Sequence, residues 1–457
     1  MTDIATRLRE TLGLDTVLTD EAIGEDYQHD ESLGGHWTAP LAVVRPTCAE
    51  DVVATLALAN ETATPVTIRG TGTGLSGGSI ALDGGVMISF ERMNNILEID
   101  SENYIAVVEP GVQLDQLDAA LAPLGLAYAV YPGEYSASLG GNVSTNAGGM
   151  RAVKYGVTRN NVLGLEAVLP SGEVIKTGGR IAKVSTGYDL TQLIIGSEGT
   201  LAVVTKAILR LVPRPQHAAT ILAPFMTLDV ITAAIPRIVA SGIGPNLLEY
   251  LDMLTMAATT HSVGLNLGIP KQIQETAAAY LVVGLDDTTA ERLEHVVELC
   301  AELLIELGAV DIYVLEAKAA GELILARERT FWVAKAAGAD DIVDTVVPRA
   351  SMPVFMAAVQ KIAQANDTFI PGCGHAGDGN VHLGVFQKDP EIRARVMHEL
   401  FRTAMELGGA ISGEHGIGTE KKKYLRELED PAKLALMSRI KTAFDPNNIL
   451  NPGKIFD

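Results

Sequence analysis

The chain has 457 residues, more than one compact hydrophobic core usually serves, so we expect two or three domains. Its 35 basic and 56 acidic side chains give a formal net charge of −21, which argues against a nucleic-acid-binding protein, because such proteins need a basic face. The three cysteines, Cys48, Cys300 and Cys373, are too few and too scattered for a disulfide framework, an iron–sulfur cluster or a zinc ribbon, and they fit a reducing cytoplasm.

The start of the chain is polar and lacks the apolar core of a signal peptide. Residues 1–33 are predicted to form short helices. No run of about 18 apolar residues predicts a membrane-spanning helix anywhere in the sequence. We therefore expect a cytoplasmic protein, or one peripheral to a membrane.

Between residues 41 and 212, short β-branched runs alternate with glycine-rich turns and with helices. This alternation is typical of an α+β domain. The predicted strands are Leu41–Arg45, Val66–Ile68, Val86–Ser89, Ile105–Val108, Leu165–Leu169, Val174–Thr177 and Leu201–Leu211, and the predicted helices are Ala49–Asn60 and Leu114–Leu121.

A glycine-rich loop, residues 69–79, follows the strand Val66–Ile68. Its sequence, Arg-Gly-Thr-Gly-Thr-Gly-Leu-Ser-Gly-Gly-Ser, contains the G-x-G-x-x-G pattern of dinucleotide-binding folds. A Rossmann loop opens directly into a helix, whereas here more glycines and a second strand follow, so we reject a nicotinamide-binding Rossmann unit. The exposed N–H groups of such a loop suit a pyrophosphate, and the alternative is a turn without a ligand.

Two further segments are built from small residues. Residues 132–149 are mostly Gly, Ala, Ser, Thr and Asn, which let a flat or phosphorylated ligand approach the backbone. Residues 195–204 begin Ile-Gly-Ser-Glu-Gly-Thr and turn sharply into a strand. Each segment by itself is equally well read as a tight turn, but three in one domain indicate a long ligand threaded between loops.

Pro213 and Pro215 mark a domain boundary, after which the pattern changes. Strands and amphipathic helices alternate, as in a ferredoxin-like sheet covered by helices. The last segment, 411–457, combines a glycine-rich loop, a lysine run, a helix and an Asn-Pro-Gly turn. The predicted elements are the helices Leu228–Ala240, Thr288–Leu307 and Ala432–Thr442 and the strands Tyr280–Leu285 and Ile312–Leu315.

Two histidines seven residues apart, His375 and His382, flank a Gly-Asp-Gly turn. On an unbroken strand this odd spacing would place the imidazoles on opposite faces, but the turn allows His375 to return beside His382. With a third ligand from Glu414, two imidazoles and one carboxylate would leave coordination positions open, as catalytic metals require. From the spacing alone, two structural histidines in a glycine-rich hairpin remain an equal alternative.

These segments together resemble the vanillyl-alcohol oxidase/PCMH flavoprotein superfamily, over nearly the whole chain. The paired motifs Gly-His-x-Gly-Asp-Gly-Asn-x-His and Gly-Glu-His-Gly-Ile-Gly resemble its D-2-hydroxy-acid dehydrogenase branch, which includes D-lactate dehydrogenase, the glycolate oxidase flavoprotein subunit and D-2-hydroxyglutarate dehydrogenase. The resemblance implies an α+β fold with a PCMH-type FAD-binding domain (1–215), a ferredoxin-like α/β cap domain for the substrate (216–410) and a C-terminal helical segment (411–457) that returns to the FAD domain.

The resemblance also implies FAD as the cofactor. No histidine or cysteine lies in 69–79 or 132–149, where family members with covalent flavin carry one, so we expect non-covalent FAD. The implied FAD-binding residues are Arg69, Gly70, Thr71, Gly72, Thr73, Gly74, Leu75, Ser76, Gly77, Pro132, Gly133, Ser138, Gly141, Asn142, Thr145, Gly148, Gly149, Glu198, Gly199, Val204 and Asn451.

By the same resemblance, His375, His382 and Glu414 bind a divalent metal, Zn²⁺ or alternatively Mn²⁺ or Fe²⁺, and His415 is the catalytic base. Oxidation of a 2-hydroxy acid removes a hydroxyl proton and a hydride. A chelated divalent ion lowers the pKa of the hydroxyl, His415 is placed to accept the proton, and the hydride passes to flavin N5.

The substrate carboxylate needs a basic partner, for which we name Lys335 and Arg349. Lys335 stands where the family commonly has the arginine of Trp-x-x-Arg, and lysine does not replace arginine in bidentate carboxylate binding, which leaves this contact open. Arg349 follows the Asp344–Pro348 segment, as in the glycolate oxidase branch. Arg327 and Arg329 are more simply interpreted as a solvated helix face.

The expected partners are a small 2-hydroxy acid, with D-lactate, D-2-hydroxyglutarate and glycolate as options, and an external electron acceptor. A quinone, a cytochrome, an electron-transfer flavoprotein or a partner subunit would serve as acceptor, and a homodimer is compatible with the sequence. One alternative is a flavin-binding subunit of a multi-subunit glycolate oxidase-type complex. The other, a zinc hydrolase, leaves the three glycine-rich segments unexplained.

Overall fold

The computed structural model describes residues 3–35 and 37–456. Contacts between residues divide the chain into two compact units, of which the first comprises Met1–Ala147, Val157–Arg214 and Glu414–Asp457 and the second comprises Gly148–Gly156 and Pro215–Gly413. The placement of 148–156 in the second unit was not predicted. It has a physical cause, since Lys154 forms an ion pair with Asp286 and the Tyr155 hydroxyl lies 3.4 Å from the same carboxylate.

The first unit contains a four-stranded sheet, and the glycine-rich loop follows one of its strands, Val66–Arg69. Val66–Arg69 and Ala42–Val44 run parallel to Val86–Ser89 on either side of it, and Val17–Leu18 adds an antiparallel edge. The strands are short and rich in β-branched residues, and nearly all residues of the three parallel strands are buried. The buried core beneath this sheet includes Leu8, Val44, Leu56, Ile88 and Leu450.

A five-stranded antiparallel sheet completes the first unit. Its strands, in spatial order, are Ile96–Asp100, Ile105–Val108, Val203–Arg210, Val162–Val168 and Val174–Gly178, and a small ribbon pairs Val212–Pro213 with Leu126–Ala127. The α-helices of the unit are Ile4–Leu12, Ala49–Thr62, Leu114–Leu121, Leu139–Thr145, Thr158–Asn161, Leu190–Ile194, Lys422–Leu428 and Pro431–Phe444, with 3₁₀ turns at Asp20–Ala22, Glu25–Tyr27, Phe90–Arg92 and Ala122–Leu124.

The second unit is built on a seven-stranded antiparallel sheet. Its strands, in spatial order, are Tyr313–Leu315, His217–Phe225, Ala279–Asp287, Leu247–Asp252, Gly372–His375, Asn380–Val385 and Asp341–Val346. The helices are Ala152–Tyr155, Leu228–Ala240, Met253–Ser262, Lys271–Thr276, Ala290–Glu306, Ala317–Glu328, Thr330–Ala336, Met352–Ala365 and Pro390–Glu406, with a 3₁₀ turn at Arg349–Ser351.

Side-chain caps start several of these helices. The hydroxyls of Thr227 and Thr289 accept hydrogen bonds from backbone N–H groups of the first turn, and Asp389 caps two such groups before a proline. Each cap satisfies N–H groups that have no partner inside the helix. Predicted and observed bounds coincide for Leu228–Ala240 and Leu114–Leu121.

The α+β prediction is confirmed, since both units combine helices with largely antiparallel sheets. One segment differs from its prediction: residues 132–149 are not a continuous loop, because Leu139–Thr145 is a helix. The Ser138 hydroxyl caps it by accepting from the Gly141 N–H over 3.3 Å, which offsets the weak helix propensity of two glycines. Over the described ranges, no helix is both long and apolar enough to cross a membrane.

Candidate functional site

The glycine-rich loop contains no helix between residues 70 and 85, which confirms the prediction that it is not a Rossmann loop. Gly72 and Gly77 have φ values of +77° and +73°, in the left-handed region that favours glycine. The Arg69 guanidinium covers Gly72 so closely that a Cβ there would overlap it, and its Nη1 donates to the His29 carbonyl oxygen over 2.6 Å. The positive φ of Gly72 favours glycine, and any side chain there would also displace the guanidinium.

The first two glycine-rich segments meet at Gly70 and Ser138. A Cβ on Gly70 would overlap the Ser138 hydroxyl oxygen, which itself caps the helix Leu139–Thr145. The absence of a side chain at Gly70 therefore lets the loop lie against the N-terminus of this helix. Helix N-termini and glycine loops both present N–H groups to anions, so the contact joins two elements suited to a pyrophosphate.

The third segment meets the C-terminal tail at Asn451. Its side-chain amide donates to the Glu198 carbonyl oxygen over 2.6 Å and accepts from the Ile68 N–H over 3.2 Å. Glu198, at φ +51°, buries its carboxylate, which accepts from the N–H groups of Ile417 and Gly418, each over 2.7 Å. Burial raises the pKa of Glu198. The tail thus returns to the first unit and connects its loops.

Lys454, which the sequence analysis missed, also joins the tail to the glycine loop. Its buried ammonium donates to the carbonyl oxygens of Gly77 and Ile80, each over 2.8 Å, and burial lowers the pKa of Lys454 to about 8. Its position directly after the Asn-Pro-Gly turn was the only signal in the sequence for this role, and a lone lysine in such a position is easily interpreted as exposed to solvent. Charge at this position would complement an anionic ligand of the loop.

Three buried polar atoms in these segments have no hydrogen-bond partner among the described residues: Thr71 Oγ1, Ser79 Oγ and Asn142 Nδ2. Buried polar groups normally have partners, so such atoms around one loop are expected where a polar ligand binds. Together with the closely packed glycines, they fit the phosphate and sugar groups of FAD. Thr71 and Asn142 were both predicted to bind it.

Five further residues that were predicted to bind FAD have the following surroundings. Gly133 has φ +82°, the Thr145 hydroxyl donates to the Gly141 carbonyl oxygen within the capped helix, and Val204 is buried in the strand Val203–Arg210. Gly148 and Gly149 begin the segment that belongs to the second unit. Their roles as ligands stay predictions.

The two histidines of the second unit lie on adjacent antiparallel strands. In the pairing of strands Gly372–His375 and Asn380–Val385, Cys373 lies directly opposite His382, so their side chains leave the same face of the sheet. Side chains two residues apart on a strand also share a face, so His375 lies on the same face as His382. Their ring centroids are 4.9 Å apart with an interplanar angle of 82°, and the nitrogens nearest each other lie within 4.8 Å. The predicted return of His375 across the turn is confirmed.

Carboxylates flank both histidines on this face. Glu249 pairs with His375 across the sheet and places Oε1 2.7 Å from its Nδ1. Asp344 pairs with His382, and its Oδ1 lies 3.8 Å from that Nδ1, too far for a hydrogen bond. Instead Asp344, fully buried, accepts from the Asn380 amide, the Ser412 hydroxyl and the Gly413 N–H.

Arg327 corrects the interpretation of residues 327 and 329 as a solvated helix face. It is 6% exposed and lies 2.7 Å from Glu249 Oε2, whereas Arg329 is exposed. The spacing of the two arginines did not reveal that one is buried and the other exposed, because both lie at the same end of one helix. The sequence contained one signal for a buried ion pair: its acidic member, Glu249, is a charged residue within the largely apolar strand Leu247–Asp252.

The basic residues named for the substrate occupy different surroundings. Arg349 Nε donates to the Gly377 carbonyl oxygen in the turn between the two histidines, so this side chain is attached to the hairpin. Lys335 Nζ lies 5.2 Å from the Trp332 ring centroid and 5.7 Å from that of Phe331, on the helix Thr330–Ala336. Their contact with a substrate stays a prediction.

Glu414 and His415 open the last segment of the first unit. The Ser76 hydroxyl of the glycine loop donates to the carbonyl oxygens of His415 and Gly416, over 3.0 and 3.2 Å. Gly416, at φ +82°, lies against the Glu198 carboxylate. The backbone that carries the predicted base is therefore packed on the glycine loop.

Comparison with known proteins identifies the class. Residues 40–178 match the family model of an FAD binding domain, and residues 214–455 match that of the C-terminal domain of FAD linked oxidases. Among solved structures, p-cresol methylhydroxylase with substrate bound superimposes with a TM-score of 0.83 at 21% identity, covering 99% of this chain and 96% of that one. The chain belongs to the FAD-linked oxidoreductases, and its fold is that of p-cresol methylhydroxylase.

Its branch is that of the D-lactate dehydrogenases and glycolate oxidase subunits. A D-lactate dehydrogenase of Anaerostipes hadrus is 38% identical over 96% of this chain and 94% of its own length. The glycolate oxidase subunit GlcD of Bacillus subtilis is 38% identical, with coverages of 91% and 89%. An uncharacterised FAD-linked oxidoreductase of Mycobacterium tuberculosis is 57% identical over 100% of this chain and 99% of its own.

Proposed function

We propose that this FAD-linked oxidoreductase oxidises a D-2-hydroxy acid, D-lactate or a similar compound, to the 2-oxo acid, with non-covalent FAD and a divalent metal. The substrate class is supported by relatives that are D-lactate dehydrogenases or glycolate oxidase subunits. Non-covalent binding is supported by the lack of histidine and cysteine in residues 69–79 and 132–149.

One arrangement carries the metal proposal: His375 and His382 share a sheet face, with nitrogens within 4.8 Å of one another. The other ring nitrogen of His375, Nδ1, lies 2.7 Å from Glu249 Oε1. Metal-binding histidines typically donate a hydrogen bond from their second ring nitrogen to a carboxylate in this way. His375 and His382, with Glu414 as the third ligand, form a donor set suited to Zn²⁺, Mn²⁺ or Fe²⁺ with open positions.

When bound, FAD accepts the two electrons of the oxidation and a divalent cation makes the substrate hydroxyl more acidic. The protein's own residues then orient the substrate and move its proton. His415 accepts the hydroxyl proton, and Arg349 and Lys335 compensate the substrate carboxylate. Electrons leave to an external acceptor, which is a quinone, a cytochrome, an electron-transfer flavoprotein or a partner subunit.

A second candidate function is that of the flavin-binding subunit of a glycolate oxidase-type complex. It is favoured by similarity to GlcD subunits, at 38% identity in Bacillus subtilis and 34% in Escherichia coli. The two candidates differ in substrate and in dependence on other subunits, and both use the same residues.

The deciding experiment is an anaerobic screen of flavin reduction. The purified protein is mixed with D- and L-enantiomers of lactate and 2-hydroxyglutarate and with glycolate, and flavin absorbance near 450 nm is followed. We expect bleaching by D-enantiomers and, for the subunit alternative, by glycolate. A protein that lacks flavin bands, or whose flavin no 2-hydroxy acid reduces, would refute the proposal.

A matched variant tests the base. His415→Ala should retain FAD and metal but reduce the rate of flavin reduction by roughly 10²- to 10⁴-fold, the usual range for a general base. Equal rates in variant and wild type would remove His415 from the proposal without affecting the flavin assignment.

A further inference from the structure

Glu249 is a buried carboxylate at the centre of an apolar strand, Leu247–Asp252. It is 1% exposed, and its strand neighbours Leu248 and Tyr250 are buried as well. An ionised carboxylate in such a place is costly unless other groups compensate it. The sequence therefore places a charge where packing alone would favour a leucine, and its contacts explain why.

Each oxygen of Glu249 faces one partner. Oε1 lies 2.7 Å from His375 Nδ1, and Oε2 lies 2.7 Å from Arg327 Nη2. The contact with His375 follows from the sheet, because the two residues are cross-strand partners and their side chains leave the same face. Arg327 comes from the helix Ala317–Glu328 and places a positive charge beside the Glu249 carboxylate, which compensates the burial of that charge.

An imidazole whose Nδ1 donates to a carboxylate has its tautomer and ring orientation set, and its Nε2 lone pair is left for a cation. The carboxylate also makes Nε2 a stronger donor. For His382, Asp344 Oδ1 lies 3.8 Å from Nδ1. His375 is therefore a histidine whose Nδ1 has a carboxylate oxygen within hydrogen-bonding distance.

We infer that Glu249 is a positioning residue that presents His375 Nε2 to a divalent metal, and that Arg327, 2.7 Å from the other carboxylate oxygen, fixes the orientation of the Glu249 side chain. The inference rests on the proposed function, because it assumes that His375 is a ligand. It adds to the proposed ligands His375, His382 and Glu414 a residue that does not itself bind the metal and lies on the strand beside that of His375.

The test is metal affinity in the flavin-loaded protein. Glu249→Gln keeps the shape and a hydrogen-bond acceptor but removes the charge, so we expect affinity for Zn²⁺ and Mn²⁺, measured by chelator competition, to fall roughly 10- to 100-fold. Flavin content, measured by absorbance, should stay at one per chain. Unchanged metal affinity in Glu249→Gln would overturn the inference.

A matched control is Asp252→Asn, on the same strand. Asp252 is a half-buried carboxylate that accepts from the N–H groups of Thr255 and Gly372. Its substitution should lower the melting temperature but leave metal affinity within about twofold of wild type. An affinity loss in Asp252→Asn as large as that in Glu249→Gln would overturn the positioning role, because both would then report general destabilisation.

The double variant Glu249→Gln/Arg327→Met guards against misfolding of the single variant. Removing both members of a buried ion pair is often tolerated where removing one is not. The double variant should fold and still bind metal weakly; wild-type affinity in it, or failure of both variants to fold, would make Glu249 a structural residue. Wild-type protein that binds no divalent metal would instead refute the proposed function itself.

Discussion

The Ser76 hydroxyl donates a hydrogen bond over 3.0 Å to the carbonyl oxygen of His415, a residue 339 positions later in the chain. Gly418, at φ +51°, permits the approach, because a Cβ there would overlap the Ser76 carbonyl oxygen. The Thr419 N–H donates to that same carbonyl oxygen over 2.9 Å. The loop proposed to hold FAD and the loop proposed to carry the base are thus one packed assembly within the first unit.

Ser76→Ala should weaken this assembly. The hydroxyl is buried and serves two carbonyl oxygens, so its loss should lower the free energy of unfolding by about 1–2 kcal/mol. Turnover should fall as His415 gains freedom, while flavin stays bound. Urea unfolding and steady-state rates check both. Ser262→Ala, whose hydroxyl also donates to a backbone carbonyl oxygen, over 2.7 Å, is the control and should leave turnover unchanged.

Gly70→Ala should cost flavin binding. The added Cβ would overlap the Ser138 hydroxyl oxygen, so either this helix-capping hydroxyl must leave its place or the loop must move away from the helix Leu139–Thr145. We expect at least a tenfold loss of FAD affinity, measured by titrating flavin-free protein. Gly24→Ala, where a Cβ would contact nothing within 4 Å, is the control. Wild-type affinity in Gly70→Ala would show that this contact does not shape the FAD site.

His382→Ala should lose metal and turnover while keeping FAD. Its imidazole is one of the two on the shared sheet face, and the flavin loops lie in the other unit. Metal analysis, flavin absorbance and turnover measure the three properties separately. Chelator treatment of the wild type should likewise abolish activity and leave the yellow colour. An active His382→Ala variant would contradict the metal proposal.

Lys454 should make stability depend on pH in the alkaline range. Burial lowers its pKa from 10.5 to about 8, so between pH 8 and 10.5 the unfolded chain holds a proton that the folded protein has lost. The contribution of Lys454 to the free energy of unfolding should therefore rise with pH across this window, by up to about 3 kcal/mol. Urea unfolding of flavin-free wild type and of Lys454→Met at several pH values measures this contribution as the difference between their free energies of unfolding. If the difference in free energy of unfolding between the two proteins stayed constant with pH, the predicted effect of Lys454 would be contradicted.

Some features of the site follow from the sequence because they depend on neighbours along the chain. An unbroken strand would place His375 and His382 on opposite faces, but the Gly-Asp-Gly turn was predicted to allow His375 to return beside His382, and it does. The glycines after Val66–Arg69 exclude a helix whatever the tertiary context, since their backbone entropy and positive φ values oppose it. Helices such as Leu114–Leu121 follow from hydrophobic spacing.

Other features were decided only by the tertiary structure. Glu249 is 126 residues from His375, and nothing in the strand Leu247–Asp252 states which strand will lie beside it. The burial of Arg327 and of Lys454 likewise depends on groups brought from distant segments. Sequence spacing determines the face on which a side chain lies, whereas sheet order and loop packing determine its partners, because those arise from long-range contacts that local patterns do not encode.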